Sequence, residues 1–420
     1  ALAPGLRVGA LAGVATAAVR EAADGPAFRD RIEDETGIRL KIATGEDEAR
    51  LAAQGVLFGN PNAEGLVIDL GGASMELCPI HRRRPGRGTS APLGPLRLDH
   101  LKNQKRIRQV IDETLSPVAE TFQKSRDHLH LVGGAWRAFG RVQITRSGHP
   151  MNVLHEYRFA PEDGLKTAAL IIDGDRETLL RHGAPGGRVD NMPLAAMIFE
   201  ALIRHFAPED ITISGFGLRE GVCYDYLPTA LKRQDPLLST CLGQEKTRAR
   251  APGFGKELAA WILPAFPAED AAEERLIRAA CHLVDVSWRA HPDYRAVSCI
   301  EVVTRVNVSS AGHRGRAFIA AALLGRYKGG RRALAEQPEL TLLTEARLKR
   351  AQQLGALMRL GATLSGAVTG QLPHASIAVD QNTLTLTLHP RHSGLWGEEV
   401  QRRLSQAAKA LDCDWAVTTG

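Results

Sequence analysis

The stretch VIDLGGASMEL, Val67 to Leu77, decides how the whole chain reads. Its first half is a short apolar run of the kind that fills a buried strand. Yet an acid, Asp69, stands inside that run, Gly71 and Gly72 break it, and a second acid, Glu76, follows on the far side. A carboxylate buried in such a strand is costly unless a cation, a donor or solvent meets it. Two explanations fit Asp69 equally well on local grounds. Its side chain caps the next turn by accepting from the Gly71 N–H, or it shares a Mg²⁺ with waters and a substrate phosphate. Glu76 alternates with Leu77, so on its own it reads as a solvent-facing residue.

Working outward, the same alternation of strands and helices surrounds this stretch. A small apolar segment (Leu6 to Thr16) precedes a helical pattern (Thr16 to Glu35), a strand (Ile38 to Ala43), a helix (Glu46 to Phe58) and the strand Gly65 to Leu70. This βαβαβ rhythm predicts an α/β sheet with helices packed on it. A basic, Pro/Gly-rich loop from His81, a helix at Leu101 to Gln123 and the strand HLHLV ending at Gly133 and Gly134 come next. DITISGFGLREGVCYDYL, Asp210 to Leu227, repeats the theme of strand, glycine turn and helix start. A polar, basic segment at Lys232 to Gly255 reads as a linker. From Glu257 to about Leu360 the pattern is helical, and ASIAVDQNTLTLTLHP alternates across a hairpin before a helix (Glu398 to Leu411) and a strand (DWAVT).

Composition narrows the class. A chain of 420 residues exceeds one core. No apolar run has the length of a membrane helix, and the six cysteines are scattered without a CxxC pair, as suits reduced thiols in a cytoplasmic protein. The net charge of +6 favours an anionic partner. Aromatic residues make up only 5% and no stacking platform is visible, which argues against nucleic acid.

Three glycine turns lie at strand ends: Gly71–Gly72, Gly133–Gly134 and Gly215–Gly217. Such turns let backbone N–H groups approach an anion. Any one is best read as a plain hairpin, but three in one sheet can point at one cleft. In TGEDEARL, Glu46, Asp47 and Glu48 crowd a first helical turn behind Thr44, where capping and the macrodipole already favour acids. Nothing local singles out Glu48.

Read together, VATAAVREAADG (Val14 to Gly25), TGEDEARL (Thr44 to Leu51), IDLGGASMEL (Ile68 to Leu77), PLGPLRL (Pro92 to Leu98) and SGFGLREGV (Ser214 to Val222) occur in the order and spacing of the exopolyphosphatase / guanosine pentaphosphate phosphohydrolase family, Ppx/GppA, which the chain resembles. The resemblance implies an α/β, actin-like (ribonuclease-H-like) two-lobed ATPase-type fold, followed by a helical HD-like module and a small α/β C-terminal domain. It implies residues 1–52 as the remainder of the first lobe, 53–232 as the second lobe, 233–362 as the HD-like module and 363–420 as the small domain. It also implies Mg²⁺-dependent release of orthophosphate from the end of inorganic polyphosphate, with guanosine pentaphosphate (pppGpp) as the rival substrate, and a homodimer. In the family pattern Glu48 activates or orients the attacking water. Asp69 and Glu76 sit near the metal, with Glu76 also catalytic. Gly71, Gly72, Ala73, Ser74, Gly133, Gly134, Arg20 and Arg219 meet phosphate.

The chain departs from that pattern in three places. No DxGSNS segment, the family's first phosphate loop, precedes Ala1, so that part of the cradle is expected to be absent. This favours a non-catalytic polyphosphate or nucleotide sensor as a further alternative. Ala73 replaces a glycine, and GGAWRA replaces the usual third loop. In the HD-like module the segment CHLVDVS puts Val284 before Asp285 and His282 at the wrong spacing, so the module reads as structural or polyanion-binding. The clusters RRRPGR (Arg82 to Arg87), GHRGR (Gly312 to Arg316) and GRYKGGRR (Gly325 to Arg332) are each best read as solvated surface that is able to guide a polyanion.

Overall fold

The computed structural model describes residues 11–305, 308–327 and 337–419. The chain forms two compact units, Ala1–Arg233 and Gln234–Gly420. In the first unit β1 (Gly13–Ala15), α1 (Ala17–Arg20), α2 (Gly25–Thr36), β2 (Leu40–Ile42), α3 (Gly45–Gly59), β3 (Gly65–Leu70), β4 (Met75–His81), β5 (Arg84–Pro85), β6 (Thr89–Ala91), α4 (Pro95–Leu98), α5 (Gln104–Thr121), β7 (His128–Val132) and α6 (Gly134–Ser147) follow in order. β8 (Tyr157–Phe159), α7 (Pro161–Asp173), α8 (Arg176–Arg181), α9 (Met192–Phe206), β9 (Asp210–Ile213), α10 (Leu218–Tyr226) and α11 (Thr229–Lys232) complete it. β1 and β2 pair in parallel as a small sheet of their own.

The large sheet runs β5-β4-β3-β7-β9-β8, with β6 also paired to β4. β3 and β4 are an antiparallel hairpin, whereas β3, β7 and β9 are parallel. This is the strand order of the ribonuclease-H-like lobe that the resemblance implies. The two faces follow from the period of two along each strand. Leu66, Ile68 and Leu70 point into one core, shared with α5, α6 and α9. Val67, Cys78, Ile80 and Val132 point the other way, against Ala49, Ala52, Ala53 and Val56 of α3. Asp69 and Glu76 belong by parity to that second face, so the helix bearing Glu48 covers both.

α3 starts where Thr44 accepts from the Asp47 N–H and Asp47 accepts from the Thr44 N–H, a capping box. The small residues along its inner side let it lie flat on the sheet. It also meets α10 backbone to backbone: a Cβ on Gly55 would stand 2.0 Å from the Gly217 carbonyl oxygen, and one on Gly221 1.8 Å from that of Leu51.

In the second unit α12 (Pro236–Arg248), α13 (Phe254–Ile262), α14 (Ala271–Leu283), α15 (Arg295–Arg305), α16 (Gly312–Tyr327) and α17 (Glu345–Ser365) lead to the hairpin β10 (Ala375–Asp380) and β11 (Thr383–Leu388), then α18 (Glu398–Ala410) and β12 (Asp414–Thr419). Gln381 and Asn382 turn the hairpin with φ of 43° and 62°, the left-handed pair of a two-residue loop. β12 then pairs with β11 in parallel.

Several expectations change. The single helix at Thr16 to Glu35 is two, α1 and α2, because Gly25 packs against the Val19 carbonyl and Pro26 starts a new first turn. The basic segment from His81 is not only a loop, since β5 and β6 pair with β4 along it. The linker at Lys232 to Gly255 is largely α12, whose polar residues are its outer side and whose start is set by Asp235 accepting from the Leu237 and Leu238 N–H groups. The cut between residues 52 and 53 falls inside α3, and that between 362 and 363 inside α17. Leu384, Leu386 and Leu388 of β11 share one core with the helices before them. In GHRGR, Arg316 is fully buried and donates to the carbonyls of Val303 and Val308, so that cluster is not a solvated surface. The segment Leu6 to Thr16 is described only from residue 11, and GRYKGGRR beyond Tyr327 lies outside the described residues.

The α3–α10 contact leaves no room for a methyl group. Gly221→Ala is expected to destabilise the first unit by about 1 to 3 kcal/mol, read as a lowered urea midpoint, whereas the same change at Gly37, with open space around it but φ of 69°, costs less.

Candidate active site

Register alone places the acids. Asp69 lies directly opposite Glu76 in the β3–β4 ladder, and Glu76 lies opposite Ser90 in the β4–β6 ladder. The row Asp69, Glu76, Ser90 therefore crosses three strands on one face, and Ser90 Oγ donates to Glu76 Oε1 at 2.9 Å. Gly45 opens α3 against this row: a Cβ there would stand 2.4 Å from that of Ser90. With the helix seated so close, Glu48, one turn in, is buried beside Glu76. Glu46 remains exposed and Asp47 is engaged in the cap. Tertiary placement thus separates three acids that the sequence leaves equivalent.

Like charges opposite one another in a sheet repel, and here a third joins them. Burial, then the charges of Glu76 and Glu48, push the Asp69 carboxyl up to about 7, with Arg137 acting the other way. Burial raises Glu48 against the lowering effect of its bond to Arg20. Burial also raises Glu76, opposed by Ser74 and Ser90 donors and reinforced by Glu48. The Arg20 guanidinium donates to Glu48 and, at 2.9 Å, to the Ala43 carbonyl. Both bonds come from Nη1, and Nη2 faces Glu21 Oε1 at 3.9 Å.

The three turns divide. In the first, Gly71 N–H donates to the Ser74 carbonyl at 2.9 Å, so Asp69 is not its cap. The carbonyls of Gly72 and Ala73 accept from Leu96 N–H and Arg97 Nε. Among the described residues no acceptor meets the N–H groups of Gly72 and Ala73. Ser74 turns inward to Glu76 rather than out to a ligand. In the second, Gly133 has φ of 111°, and a Cβ on it would stand 2.7 Å from Asp69 Oδ1. Gly134 begins α6 beneath the Arg188 guanidinium. The third turn departs from expectation: Gly215 N–H donates to His155, Phe216 N–H to Ser214 Oγ and Gly217 N–H to Glu220. Its amides are already committed to the fold, and Glu220 is a capping residue.

Two clefts open here. One of about 160 Å³ brings Asp69, Gly133, Arg137 and Arg219 together at the start of α10. The other, about 610 Å³, runs past Gly71, Gly72, Gly134, Leu96 and Arg188. The structure thus gathers Glu48, Asp69, Glu76, Arg20 and Gly133 tightly, sets Gly71, Gly72, Ala73, Gly134 and Arg219 around them, and leaves Ser74 in a supporting position. Sequence reasoning missed Arg137, Ser90 and Arg188. Arg137 stood inside the quoted GGAWRA, one helical turn past the glycines. Ser90 sat in what read as loop, and nothing local marked Arg188.

Among the described residues no three His, Cys, Asp or Glu side chains converge as a metal site. Asp69 and Glu76 offer two carboxylates, oxygen donors that suit a hard divalent cation whose shell is finished by water and phosphate. In the second unit His282 pairs with Glu245 at 2.6 Å, and Asp285 takes Arg250 on both oxygens at 2.9 Å, so each is held in its own ion pair.

Buried carboxylates thus lie beside the turns at Gly71 and Gly133 and, among the described residues, the unpaired guanidiniums of Arg137 and Arg219. The model of the Ppx/GppA phosphatase family matches residues 1–230, and that described as exopolyphosphatase, C-terminal, matches residues 243–414. The chain belongs to the Ppx/GppA phosphatase family and has its actin-like, ribonuclease-H-like α/β fold. It is 24% identical over 349 residues to retrograde regulation protein 2 of Saccharomyces cerevisiae, covering 75% of this chain and 58% of that protein. It is 28% identical over 223 residues to exopolyphosphatase 1 of Mycobacterium leprae, covering 50% and 65%. The chain therefore spans less than two thirds of the length of these relatives. A solved exopolyphosphatase of Cytophaga hutchinsonii superposes with a TM-score of 0.48 at 22% identity, covering 53% of this chain and 76% of that one. A Ppx/GppA enzyme of Aquifex aeolicus gives 0.46, 22%, 53% and 78%. Among the described residues no helix is long and apolar enough to cross a membrane.

Because Asp69 holds its proton more tightly folded than unfolded, its contribution to stability is full below about pH 4 and is lost as pH rises through about 7. The metal-free protein is expected to lose stability across that window in urea titrations. Asp69→Asn should flatten the slope and exceed the parent in stability at pH 8.

Proposed function

We propose that the chain hydrolyses a terminal phosphoanhydride and releases orthophosphate, with inorganic polyphosphate as the substrate and Glu48 as the residue that orients and deprotonates water. The observation that carries this reading is the meeting of Glu48 with Asp69 and Glu76 on one sheet face, beside the turns at Gly71 and Gly133. Phosphoryl transfer asks for positioning and neutralisation of charge. Arg137 and Arg219 supply donors in the cleft beside Asp69, and the Gly72 amide supplies one in the adjoining cleft. A carboxyl raised from its ordinary value is a better base near neutral pH. Arg20 fixes the orientation of Glu48. A Mg²⁺ held by Asp69 and Glu76 would neutralise charge on the phosphoryl oxygens and offset the repulsion between those two acids. The charge of +6 suits a polyanion, and a homodimer is expected.

One observation favours a second reading. The relative matched over the larger share of this chain is named as a regulation protein, which fits binding of polyphosphate or a nucleotide without turnover.

Phosphate release from long-chain polyphosphate and from guanosine pentaphosphate, assayed side by side with Mg²⁺, decides among these. The expected result is turnover of polyphosphate, reduced about 10²- to 10⁴-fold in Glu48→Ala with binding retained. Binding without any phosphate release by the parent supports the second reading. Equal rates in parent and variant remove Glu48 from its role.

A further inference from the structure

Three histidines meet at the open end of the β10–β11 hairpin in the second unit. His374 closes the single turn Leu372–His374 just ahead of β10, and His389 follows β11 directly. His392 lies in the short helix Pro390–Leu395 that leads on to α18. The backbone ties these places together: His389 N–H donates to the His374 carbonyl at 2.9 Å, and His392 N–H donates to that of His389 at 2.8 Å. The rings gather accordingly. His374 and His392 stack with centres 3.8 Å apart and planes 6° from parallel, while His389 stands edge-on to them at 6.4 and 5.6 Å.

This arrangement suits neutral imidazoles. His389 Nδ1 accepts from the Arg391 N–H at 3.2 Å and so caps the short helix, whereas an imidazolium carries a proton on both nitrogens and accepts nothing. His392 Nδ1 is buried without a partner, so a proton placed there becomes a buried donor with no acceptor. Two charges on the stacked pair would repel at contact distance. The charges that reach His392 come from His374 and His389 on the hairpin side and from Arg391 on its own helix, with no carboxylate among them. Burial first, then those three, hold the His392 imidazole below its ordinary value. At the end of the short helix, Leu395 and Trp396 pack against the core of the second unit, and the Trp396 ring lies 6.4 Å from that of Trp415.

We propose that His374, His389 and His392 form an acid-sensitive clasp, which while neutral holds the Pro390–Leu395 helix to the hairpin and on protonation releases it together with Leu395 and Trp396. The released segment takes up protons near the ordinary imidazole value of 6.5, and the clasped one resists them. The clasp is therefore whole above about pH 6.5 and weakens as pH falls below it. Its direction is opposite to that of Asp69, and it belongs to the other unit.

Tryptophan emission of the full chain, followed from about pH 7.5 to about pH 5, tests the clasp, with Trp396→Phe marking the signal of the released segment. The expected result is a reversible change as pH falls below about 6.5, absent in Trp396→Phe and retained in Asp69→Asn. His392→Phe keeps a ring in the stack but removes its proton site, so the change is expected to be lost or moved by about half a pH unit or more, and His374→Phe is expected to act in the same way. If either phenylalanine variant does not fold, His392→Gln or His374→Gln carries the comparison at that position. A transition with the parent's midpoint and amplitude in the histidine variants that fold overturns the proposal, as does a parent whose Trp396 emission stays constant across the range.

Discussion

The first unit is organised around repulsion. Asp69 and Glu76 are cross-strand partners, and α3 lays Glu48 over them. Three carboxylates on one covered face is an arrangement that packing alone would select against. It persists because other parts of the fold hold it there: the capping box that fixes where α3 begins, the bare Gly45 that seats it on Ser90, and the single guanidinium of Arg20 bonded to Glu48. The capping box also stabilises the start of α3. Together these features hold three acids in mutual repulsion on one covered face.

The scaffold and the site were legible to different depths, and the reason is physical. β3 and β7 were readable to the residue because an apolar run ended by glycines leaves little choice of boundary. The acids of β3 and β4 were visible as anomalies, yet Glu76 looked solvent-facing, since parity says which residues share a face but not whether a helix covers it. Glu48 was unreadable from its surroundings. Only the resemblance marked it, and only the depth of α3 on the sheet explains it. α12 was missed because a surface helix can be as polar as a linker, and the Asp235–Pro236 start signal was outweighed by composition. The Gly215–Gly217 turn shows the converse error: glycines permit an amide to meet an anion, but here His155, Ser214 and Glu220 reach the amides first.

The two units treat charge in opposite ways. The first concentrates carboxylates and answers them with few cations, whereas in the second Arg347 and Arg350 of α17 pair with Glu269 and Glu273, and Arg402 and Arg403 of α18 pair with Glu399. The first leaves its imbalance beneath the surface, where screening by salt is weak. A chain with a net charge of only +6 can therefore present sharply different fields at different places.

The backbone contact between α3 and α10 has a mechanical meaning. With glycine set against carbonyl oxygen at two points, those helices interlock like cogs and cannot slide along each other. The elements that carry Glu48 and Arg219 are thus packed as one body with the large sheet. Arg20 reaches Glu48 from α1, so a single side chain on a four-residue helix fastens the β1–β2 layer to this body.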